Sequence, residues 1–422
     1  MIQKNKALIN DPILLFFVFL FSSITAFINS IIWLSPIIVL IDTILLSVCV
    51  FLCIWNLRRL NILANFIIII KRNWIVLPFL IYAGFSVFWS ISQDISFYRW
   101  LILVFTIIIG GYIGLKNNID EIIWSLSVFC LCIVLLSFLL VIFIPDIGVM
   151  NYHDIQGAWK GIYWHKNHMG LIASFSSVLF LLNITNSFRV KQNSLYFWIL
   201  FYIISLLSIY KTDSVAAYIT TLIINGSIFL ALVWLKIRNK IQKHHYIILI
   251  IILVVISIVL FMNIDRFFGV FNRNITLTGR IPMWTLLYNK YISERPYLGY
   301  GFNAFWYQES NRVGVQEVGY ADPIVIADNG FIDMLVNTGF IGLFLFLIFY
   351  LNIYWRSIKY AWRADEINGF FPLVVMSFTL IANISWSLIY ENESFFMLIM
   401  ISILFFLSKT EYKKIVQSEQ PN

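Results

Sequence analysis

Charged residues are scarce in this sequence: Asp, Glu, Lys and Arg make up only 12% of its 422 residues. Hydrophobic residues account for 61%, and the mean hydropathy is +0.87. A soluble domain of this length could not bury so much apolar surface. The scarcity of charge therefore excludes a soluble protein and predicts an all-α, polytopic membrane protein.

The apolar runs also lack the alternation of polar and apolar residues that a transmembrane β-barrel requires. Residues 247–261, for example, are apolar on every helical face. Among the few cysteines, Cys49, Cys53, Cys130 and Cys132 all fall within apolar runs. Their positions exclude a disulfide framework and argue against a zinc site, so we expect them to pack in the core.

No Walker-type or G-x-G-x-x-G fingerprint stands between a predicted strand and a helix. The predicted cytoplasmic loops reach only about 17 residues, which is too short for a soluble catalytic domain. We therefore expect any chemistry on the outer face or within the membrane, without ATP or a nucleotide sugar. The formal net charge of +8 does not indicate a nucleic-acid partner. Basic residues that flank spans usually mark cytoplasmic loops, and they also interact favourably with anionic lipid headgroups.

At roughly 20 apolar residues for each span, the sequence predicts about twelve transmembrane helices. They lie near 13–32, 36–55, 74–91, 97–115, 122–144, 168–186, 195–210, 213–235, 246–262, 331–353, 370–389 and 393–409. Lys and Arg are concentrated in alternate loops, which predicts that both termini are cytoplasmic. The first apolar run is about as long as a span and lacks a clear small-x-small cleavage site, so we expect it to be retained as a first helix. Segment 61–70 is short and flanked by basic residues, so we expect an interfacial or re-entrant piece.

This map divides the chain into three parts. Residues 1–262 hold the first nine helices with an outer loop at 145–167, and residues 331–422 hold the last three helices and a short tail. Between them, residues 263–330 are the one long polar interruption. We call residues 263–330 the lid segment, and we expect a large periplasmic loop with short amphipathic helices.

The first candidate site in the lid segment is Thr278-Gly279-Arg280, which reads as a helix start with Thr278 as its cap. Arg280 at a helix N-terminus could bind a phosphate through its guanidinium, while the simpler interpretation is an interfacial arginine that contacts lipid headgroups. Further along, Trp284, Leu287, Tyr288 and Tyr291 share one helical face, which is suited to lying on the membrane surface.

The second candidate is Asp328, directly before the tenth span. It could cap that helix, or it could act as a base that takes a proton from a hydroxyl group. Asp333, one turn into the same span, is expected to face a cavity. Arg99 and Asp42 are further candidates for buried charges.

The third candidate is the outer cluster from Trp159 to Gly170, which contains His165, Lys166, Asn167 and His168. Two histidines alone indicate a metal site only weakly, and the cations and aromatic rings fit a phosphate or sugar surface better. In the turn Lys211-Thr212-Asp213-Ser214, an ion pair within the turn is the simplest structural interpretation.

Several loose motifs occur together in a distinctive order. They are G-x-x-x-H-K-N-x-x-G (Gly161 to Gly170), the polar turn after the seventh span, Thr-Gly-Arg before Trp284, Pro296-x-x-Gly299-Tyr300-Gly301-Phe302, and Asn329-Gly330-Phe331-x-Asp333 with Gly339 and Gly342. Together they resemble the O-antigen ligase and Wzy-type polysaccharide polymerase superfamily, in particular its ExoQ-like exopolysaccharide polymerase branch.

The resemblance implies an inverting glycosyltransferase that needs neither a metal nor another cofactor and works in the bacterial inner membrane. Its donor would be an oligosaccharide on undecaprenyl pyrophosphate. Arg280, Lys211 and Lys166 would hold the pyrophosphate. Asp328 would stand where the family usually has a His base, with His165, His168, Glu317 and Asp322 as alternatives. The remaining substrate contacts are expected from His165, Asn167, Asn329 and Trp284.

Three functions remain open. A polymerase, which would add to a lipid-linked glycan and could work with a chain-length regulator, is favoured because the His-Lys-Asn motif leans towards exopolysaccharide relatives. A ligase would instead transfer the finished polysaccharide to lipid A core. A lipid-linked-sugar flippase or transporter would show paired broken helices in two repeated halves, and no such repeat is evident.

Overall fold

The computed structural model of the chain describes residues 35–151, 156–191, 193–238, 280–316, 326–388 and 395–419. Within these residues the fold is all-helical, apart from one antiparallel bridge between Val149 and Trp159. The predicted all-α class is confirmed. The predicted spans near 13–32 and 246–262 lie outside the described residues.

Thirteen α-helices of seven or more residues occur within the described ranges. They are α1 (Ser35–Arg59), α2 (Leu63–Arg72), α3 (Val76–Phe85), α4 (Gln93–Lys116), α5 (Ile119–Phe143), α6 (Lys166–Val190), α7 (Leu195–Lys211), α8 (Val215–Ile237), α9 (Arg280–Leu286), α10 (Glu309–Gln316), α11 (Gly330–Trp362), α12 (Phe371–Ser385) and α13 (Phe395–Glu419). A π-helical stretch, Leu287–Ile292, continues α9.

Seven helices of the described chain are long and apolar enough to cross a membrane, and α1 with α2 makes an eighth if that bent pair counts as one span. Two shorter apolar helices, Val76–Trp89 and Leu195–Lys211, coincide with further predicted spans. The chain is therefore a multi-pass membrane protein, while the count of twelve remains a prediction. Helix α2 turns away from α1 by 106°, which agrees with an interfacial or re-entrant segment 61–70.

Close packing between α4 and α13 depends on small residues. Gly110 and Gly114 are one turn apart on α4, and a Cβ atom on Gly114 would lie 2.2 Å from the carbonyl oxygen of Ser402. Glycines at this spacing let two apolar helices approach at backbone distance, which strengthens van der Waals packing in a membrane. A second group forms around α6, which packs against α5, α7 and α8.

Helix α11 is broken at Gly339, where the backbone leaves the helical region (φ +66°, ψ −173°). In an unbroken helix, the N–H groups of residues 340 and 341 would donate to the carbonyl groups of residues 336 and 337. Here the loop 296–301 enters the gap and forms one bond with each of the four groups. The bonds are Phe340 N–H to Pro296 O (2.8 Å), Ile341 N–H to Tyr297 O (3.3 Å), Tyr300 N–H to Val336 O (3.1 Å) and Gly301 N–H to Asn337 O (2.8 Å).

The inserted loop explains the motif Pro296-x-x-Gly299-Tyr300-Gly301. A Cβ atom on Gly299 would lie 2.5 Å from the carbonyl carbon of Asn337, and one on Gly339 would lie 2.2 Å from the carbonyl oxygen of Tyr297. Both glycines have positive φ values of 65° and 66°, which side chains rarely adopt. Backbone hydrogen bonds thereby attach the loop 296–301 of the lid segment to α11 at its break.

Candidate active site

The centre of the candidate site is an ion pair between two residues of the lid segment, Arg280 and Asp328. The Nε and Nη2 atoms of Arg280 lie 3.1 and 3.0 Å from Oδ2 of Asp328. Both side chains are partly shielded, with 16% of Arg280 and 27% of Asp328 exposed. The structure thus brings together the two residues predicted to bind the pyrophosphate and to activate the acceptor.

Asp328 does not cap α11, so that alternative is wrong. The cap is Asn329, whose Oδ1 accepts hydrogen bonds from the N–H groups of Phe331 and Ile332. Asp328 instead has a left-handed backbone, with φ +52°, a conformation that Asp and Asn tolerate better than most residues. Its carboxylate is therefore not committed to the helix terminus.

Asn329 was predicted to contact the substrate, but the fold uses both ends of its amide. Besides capping α11 through Oδ1, it donates from Nδ2 to the carbonyl oxygen of Ile384 at 3.2 Å. Only 9% of the residue is exposed. In this arrangement Asn329 positions its neighbour Asp328 between α11 and the end of α12.

Asp333, which was expected to face a cavity, is fully buried and hydrogen-bonded. It accepts from Trp306 Nε1 at 2.6 Å, from the N–H group of Ala327 and from the hydroxyl group of Ser387. A buried carboxylate needs such donors to replace lost hydration. Asp333 therefore fastens two parts of the lid segment and the end of α12 beside the Arg280–Asp328 pair.

The aromatic face of α9 was predicted to lie on the membrane surface, and this is wrong for most of it. Leu287 and Tyr291 are 0% and 6% exposed and pack in a small core with Phe305. Of the predicted face, Tyr288 is the exposed member. Trp284 donates from Nε1 to the carbonyl oxygen of Ala327 at 2.7 Å, so its indole N–H ties α9 to the residue before Asp328.

The outer cluster places His165 at the N-cap of α6, where its Nδ1 accepts the N–H group of Asn167 at 3.2 Å. Burial lowers the pKa of His165 to about 4, and the nearby charges of Lys166, His168 and Arg280 contribute to the same decrease. His165 is therefore neutral at pH 7, and because Nδ1 is an acceptor, Nε2 carries the proton.

The turn after α7 is closed by an ion pair, but the cation is not the predicted one. Lys166, which is only 5% exposed, donates from Nζ to the carbonyl oxygen of Asp213 at 3.0 Å and approaches its carboxylate at 3.3 Å. Lys211 is instead exposed, with Nζ 5.9 Å from the centre of the Tyr210 ring. Lys166 thus joins α6 to the turn, while Lys211 faces outward.

Residues that the sequence interpretation missed connect the two halves of the site. Trp386 is 3% exposed, and its ring lies 5.2 Å from His168 and 6.2 Å from His165. Its neighbour Ser387 bonds to Asp333. The segment after α12 therefore links the histidine cluster to the lid segment. The one sequence signal for Trp386 was its position near the predicted outer end of an apolar run, which is followed by Glu391-Asn392-Glu393.

Arg99, a predicted buried charge, contacts tyrosines. Its guanidinium carbon lies 5.4 Å from the ring centres of both Tyr98 and Tyr307, and it donates to the Tyr307 hydroxyl group. The side chain of Asp42 and the alternative bases Glu317 and Asp322 lie outside the described residues. Within the described ranges, no group of three or more His, Cys, Asp or Glu side chains is arranged to hold a metal ion.

Comparison with known families bears on the part of the chain that contains this ion pair. Residues 200–347 match the model of the O-antigen ligase family. This region belongs to the O-antigen ligase/Wzy-type superfamily. The matched region contains Lys211, Arg280 and Asp328, whereas His165 and Lys166 precede it. A search of curated proteins finds no match.

Membership supports an activity class that is broader than the predicted reaction. The family implies a glycosyl-transferring enzyme of the ligase or polymerase type, and O-antigen ligases act on lipid-linked polysaccharides in membranes. This class agrees with a site at one end of the helical bundle, where Arg280 of the lid segment meets Asp328 at the start of α11.

Proposed function

We propose that the protein is a polysaccharide polymerase. It transfers a glycan from an undecaprenyl-pyrophosphate donor to a lipid-linked glycan acceptor on the periplasmic face, with inversion and without a metal ion. The observation that carries the proposal is the Arg280–Asp328 pair, in which a cation suited to pyrophosphate and a carboxylate suited to proton transfer are in direct contact.

Arg280 would stabilise the leaving group. A guanidinium has five N–H donors in a fixed plane, and Asp328 engages two of its nitrogen atoms. Incoming pyrophosphate would bind the remaining donors or displace the carboxylate. In a shielded site, a fixed cation stabilises the negative charge that develops as the glycosyl–phosphate bond breaks. Lys211, exposed at the turn, would add charge from a second side.

Asp328 would then accept the proton of the acceptor hydroxyl group. The hydroxyl oxygen attacks the anomeric carbon from the face opposite the pyrophosphate, the carbon–oxygen bond to phosphate breaks, and undecaprenyl pyrophosphate leaves. His165 is a poorer base, because its Nδ1 already accepts a backbone hydrogen bond. Its Nε2–H group would donate to a phosphate or sugar oxygen instead, with Asn167 beside it.

The second candidate is a ligase that transfers polysaccharide to lipid A core, and the family description favours it specifically. The same ion pair would serve either reaction, since only the acceptor differs. The break in α11 does not support a transporter. The loop 296–301 fills the break and forms hydrogen bonds with the N–H and carbonyl groups that it exposes, so these groups are not left to bind a substrate or an ion.

The test is a reaction of purified protein with a lipid-linked repeat unit in the presence of EDTA. We expect wild-type protein to make polymer, and Arg280→Ala to lower the rate by about one hundredfold or more. Lys290→Ala removes an exposed cation from the same segment and is the matched control, so its rate should stay near that of the wild type.

Each part of the proposal has its own contrary result. Polymer formation by Arg280→Ala at the wild-type rate would remove the central role of the ion pair. Loss of activity with EDTA would show that the reaction needs a metal. Transfer to lipid A core without chain extension would identify a ligase.

A further inference from the structure

A polar cavity lies at the other end of the bundle, where α5 begins and α11 and α13 approach their C-terminal ends. Its volume is about 420 Å³, which is within the range of small-molecule sites. Lining side chains include Asp120, Lys359, Arg363, Asn368 and Glu411. The cavity is remote from the Arg280–Asp328 pair, because that pair lies at the N-terminal end of α11.

The carboxylates around this cavity already have partners. Glu411 pairs with Arg356 at 2.9 Å, and Glu366 pairs with Arg189 at 2.7 Å. Two further carboxylates are also engaged: Asp365 pairs with Arg238, and Asp120 accepts from Asn368 at 2.6 Å. Lys359 and Arg363, in contrast, have no carboxylate partner among the described residues. The cavity wall therefore presents two cations that are suited to an anion.

Asn368 adds a requirement for a hydrogen-bond donor. The residue is only 5% exposed, and its Oδ1 has no partner in the described part of the chain. The orientation of the amide is fixed, because Nδ2 donates to Asp120. A buried acceptor without a donor is unfavourable, so a ligand with a hydroxyl group would satisfy it.

Two exposed tryptophans place the cavity at the level of a membrane surface. Trp355 and Trp362 are 57% and 59% exposed on the same last turns of α11. Tryptophan is enriched where lipid headgroups meet the hydrocarbon, and basic pockets between helices at this level bind anionic headgroups. Both observations favour a lipid over a soluble metabolite as the occupant of the cavity.

We propose that this cavity binds the phosphoglycerol headgroup of an anionic lipid, phosphatidylglycerol. The phosphate lies between Lys359 and Arg363, and a glycerol hydroxyl group donates to Oδ1 of Asn368. The site is separate from glycan transfer, so it can be tested by binding alone.

The experiment measures binding of short-chain lipids to the purified full chain in detergent. We expect phosphatidylglycerol to bind more tightly than phosphatidylethanolamine and than phosphatidic acid of the same chains, which lacks the glycerol hydroxyl groups. The double variant Lys359→Ala/Arg363→Ala should weaken binding of phosphatidylglycerol by about tenfold or more. Arg58→Ala/Arg59→Ala removes two exposed cations at the end of α1 and should leave binding unchanged.

A third variant tests the hydroxyl contact. Asn368→Ala should bind phosphatidylglycerol and phosphatidic acid equally, while its thermal unfolding confirms that it is folded. Equal binding of phosphatidylglycerol and phosphatidylethanolamine by the wild type would overturn the anionic site. Equal binding of phosphatidic acid by the wild type would overturn the glycerol contact, and equally tight binding of soluble glycerol phosphate would overturn the lipid as its source.

Discussion

Asp328 has a left-handed backbone and forms the ion pair with Arg280. A test of its carboxylate therefore needs a replacement that tolerates this backbone conformation. Asn tolerates the same backbone conformation, so Asp328→Asn should preserve the fold while removing the proton acceptor. We expect polymerisation to fall by about one hundredfold or more, because general base catalysis typically contributes that much. Initial rates with the lipid-linked substrate would measure the effect.

Asp328→Ala is the harsher comparison, since Ala disfavours a positive φ value and should also lower the thermal stability. An Asp328→Asn variant with wild-type rates and wild-type stability would show that the base lies elsewhere. His168 would then be the next residue to substitute.

His165 gives the site a pH-dependent stability. Its pKa falls from 6.5 in a free side chain to about 4 in the folded protein, first because of burial. Between these values the unfolded chain binds a proton that the folded protein does not, so stability decreases as the pH falls from 6.5 towards 4. The contribution is roughly 1.4 kcal/mol for each unit of the shift.

We therefore expect His165→Gln to flatten the pH dependence of the melting temperature between pH 6.5 and 4.5. His168→Gln is the control, since it removes an imidazole from the same cluster and leaves His165 buried. If the slope is the same in His165→Gln and the wild type, the charge of His165 does not contribute. Above pH 6.5 this residue is neutral in both states and should add nothing to the pH profile of activity.

Asp333 is structural, although it lies within one turn of the catalytic candidate. Asp333→Asn would turn an amide N–H group towards Trp306, Ser387 or the backbone of Ala327, all of which are donors. The loss of these hydrogen bonds would leave buried donors without an acceptor and should destabilise the protein by roughly 1–3 kcal/mol. We expect a lower melting temperature than that of Asp328→Asn, measured in the same detergent.

At the scale of single elements, the break in α11 is the feature most open to test. Gly339→Ala would force a side chain into a positive φ value and against the carbonyl oxygen of Tyr297. Strain of this kind costs on the order of 1–3 kcal/mol before the clash is counted. We expect a lower melting temperature and a reduced yield of folded protein.

Gly226→Ala is the matched control, because this glycine lies inside α8 and a Cβ atom added there would have no neighbouring atom within 4 Å. Alanine is the better helix former by about 1 kcal/mol, so this change should be neutral or stabilising. Equal effects of the two substitutions would mean that the loop 296–301 does not hold the break.

The sequence was sufficient for the all-helical class and for singling out Arg280 and Asp328 as candidates, because apolar runs and a terminal arginine depend on local chemistry. It did not predict that these two side chains would form an ion pair. It was not sufficient for the surroundings of that pair. An exposed face and a buried face of α9 have the same periodicity, and only the fold shows that Tyr291 packs against Phe305. Likewise, Asp328 and Asn329 are both good caps, and the choice between them depends on the contact of Asn329 with α12.

The lysines show the same limit. Lys166 and Lys211 were assigned a common role because both are basic and predicted on the outer side. The partner of Lys166 is Asp213, 47 residues away, and no local pattern indicates such a pairing. Trp386 was missed for a related reason, since its role depends on packing between α6 and α12.

At the scale of the whole molecule, the two ends of the bundle differ in chemistry. The Arg280–Asp328 pair and the histidine cluster lie where α6 and α11 begin. At the opposite end, Arg189 pairs with Glu366, and Lys409 donates to the carbonyl oxygen of Leu115. Basic residues collect on the cytoplasmic side of membrane proteins, so this second end is expected to be cytoplasmic and the first periplasmic.

This orientation can be measured with single cysteines, because three native cysteines are buried and Cys132 is partly buried. Ser293→Cys lies on the lid segment and Asn193→Cys lies between α6 and α7; both positions are exposed. Since α6 runs from the histidine cluster to the opposite end, the two positions stand on opposite sides of the bundle. An impermeant maleimide should label Ser293→Cys in intact spheroplasts and Asn193→Cys only after lysis. Labelling of both from outside would contradict the bundle itself, and the reverse pattern would place the Arg280–Asp328 pair in the cytoplasm, where a periplasmic polymerase could not use it.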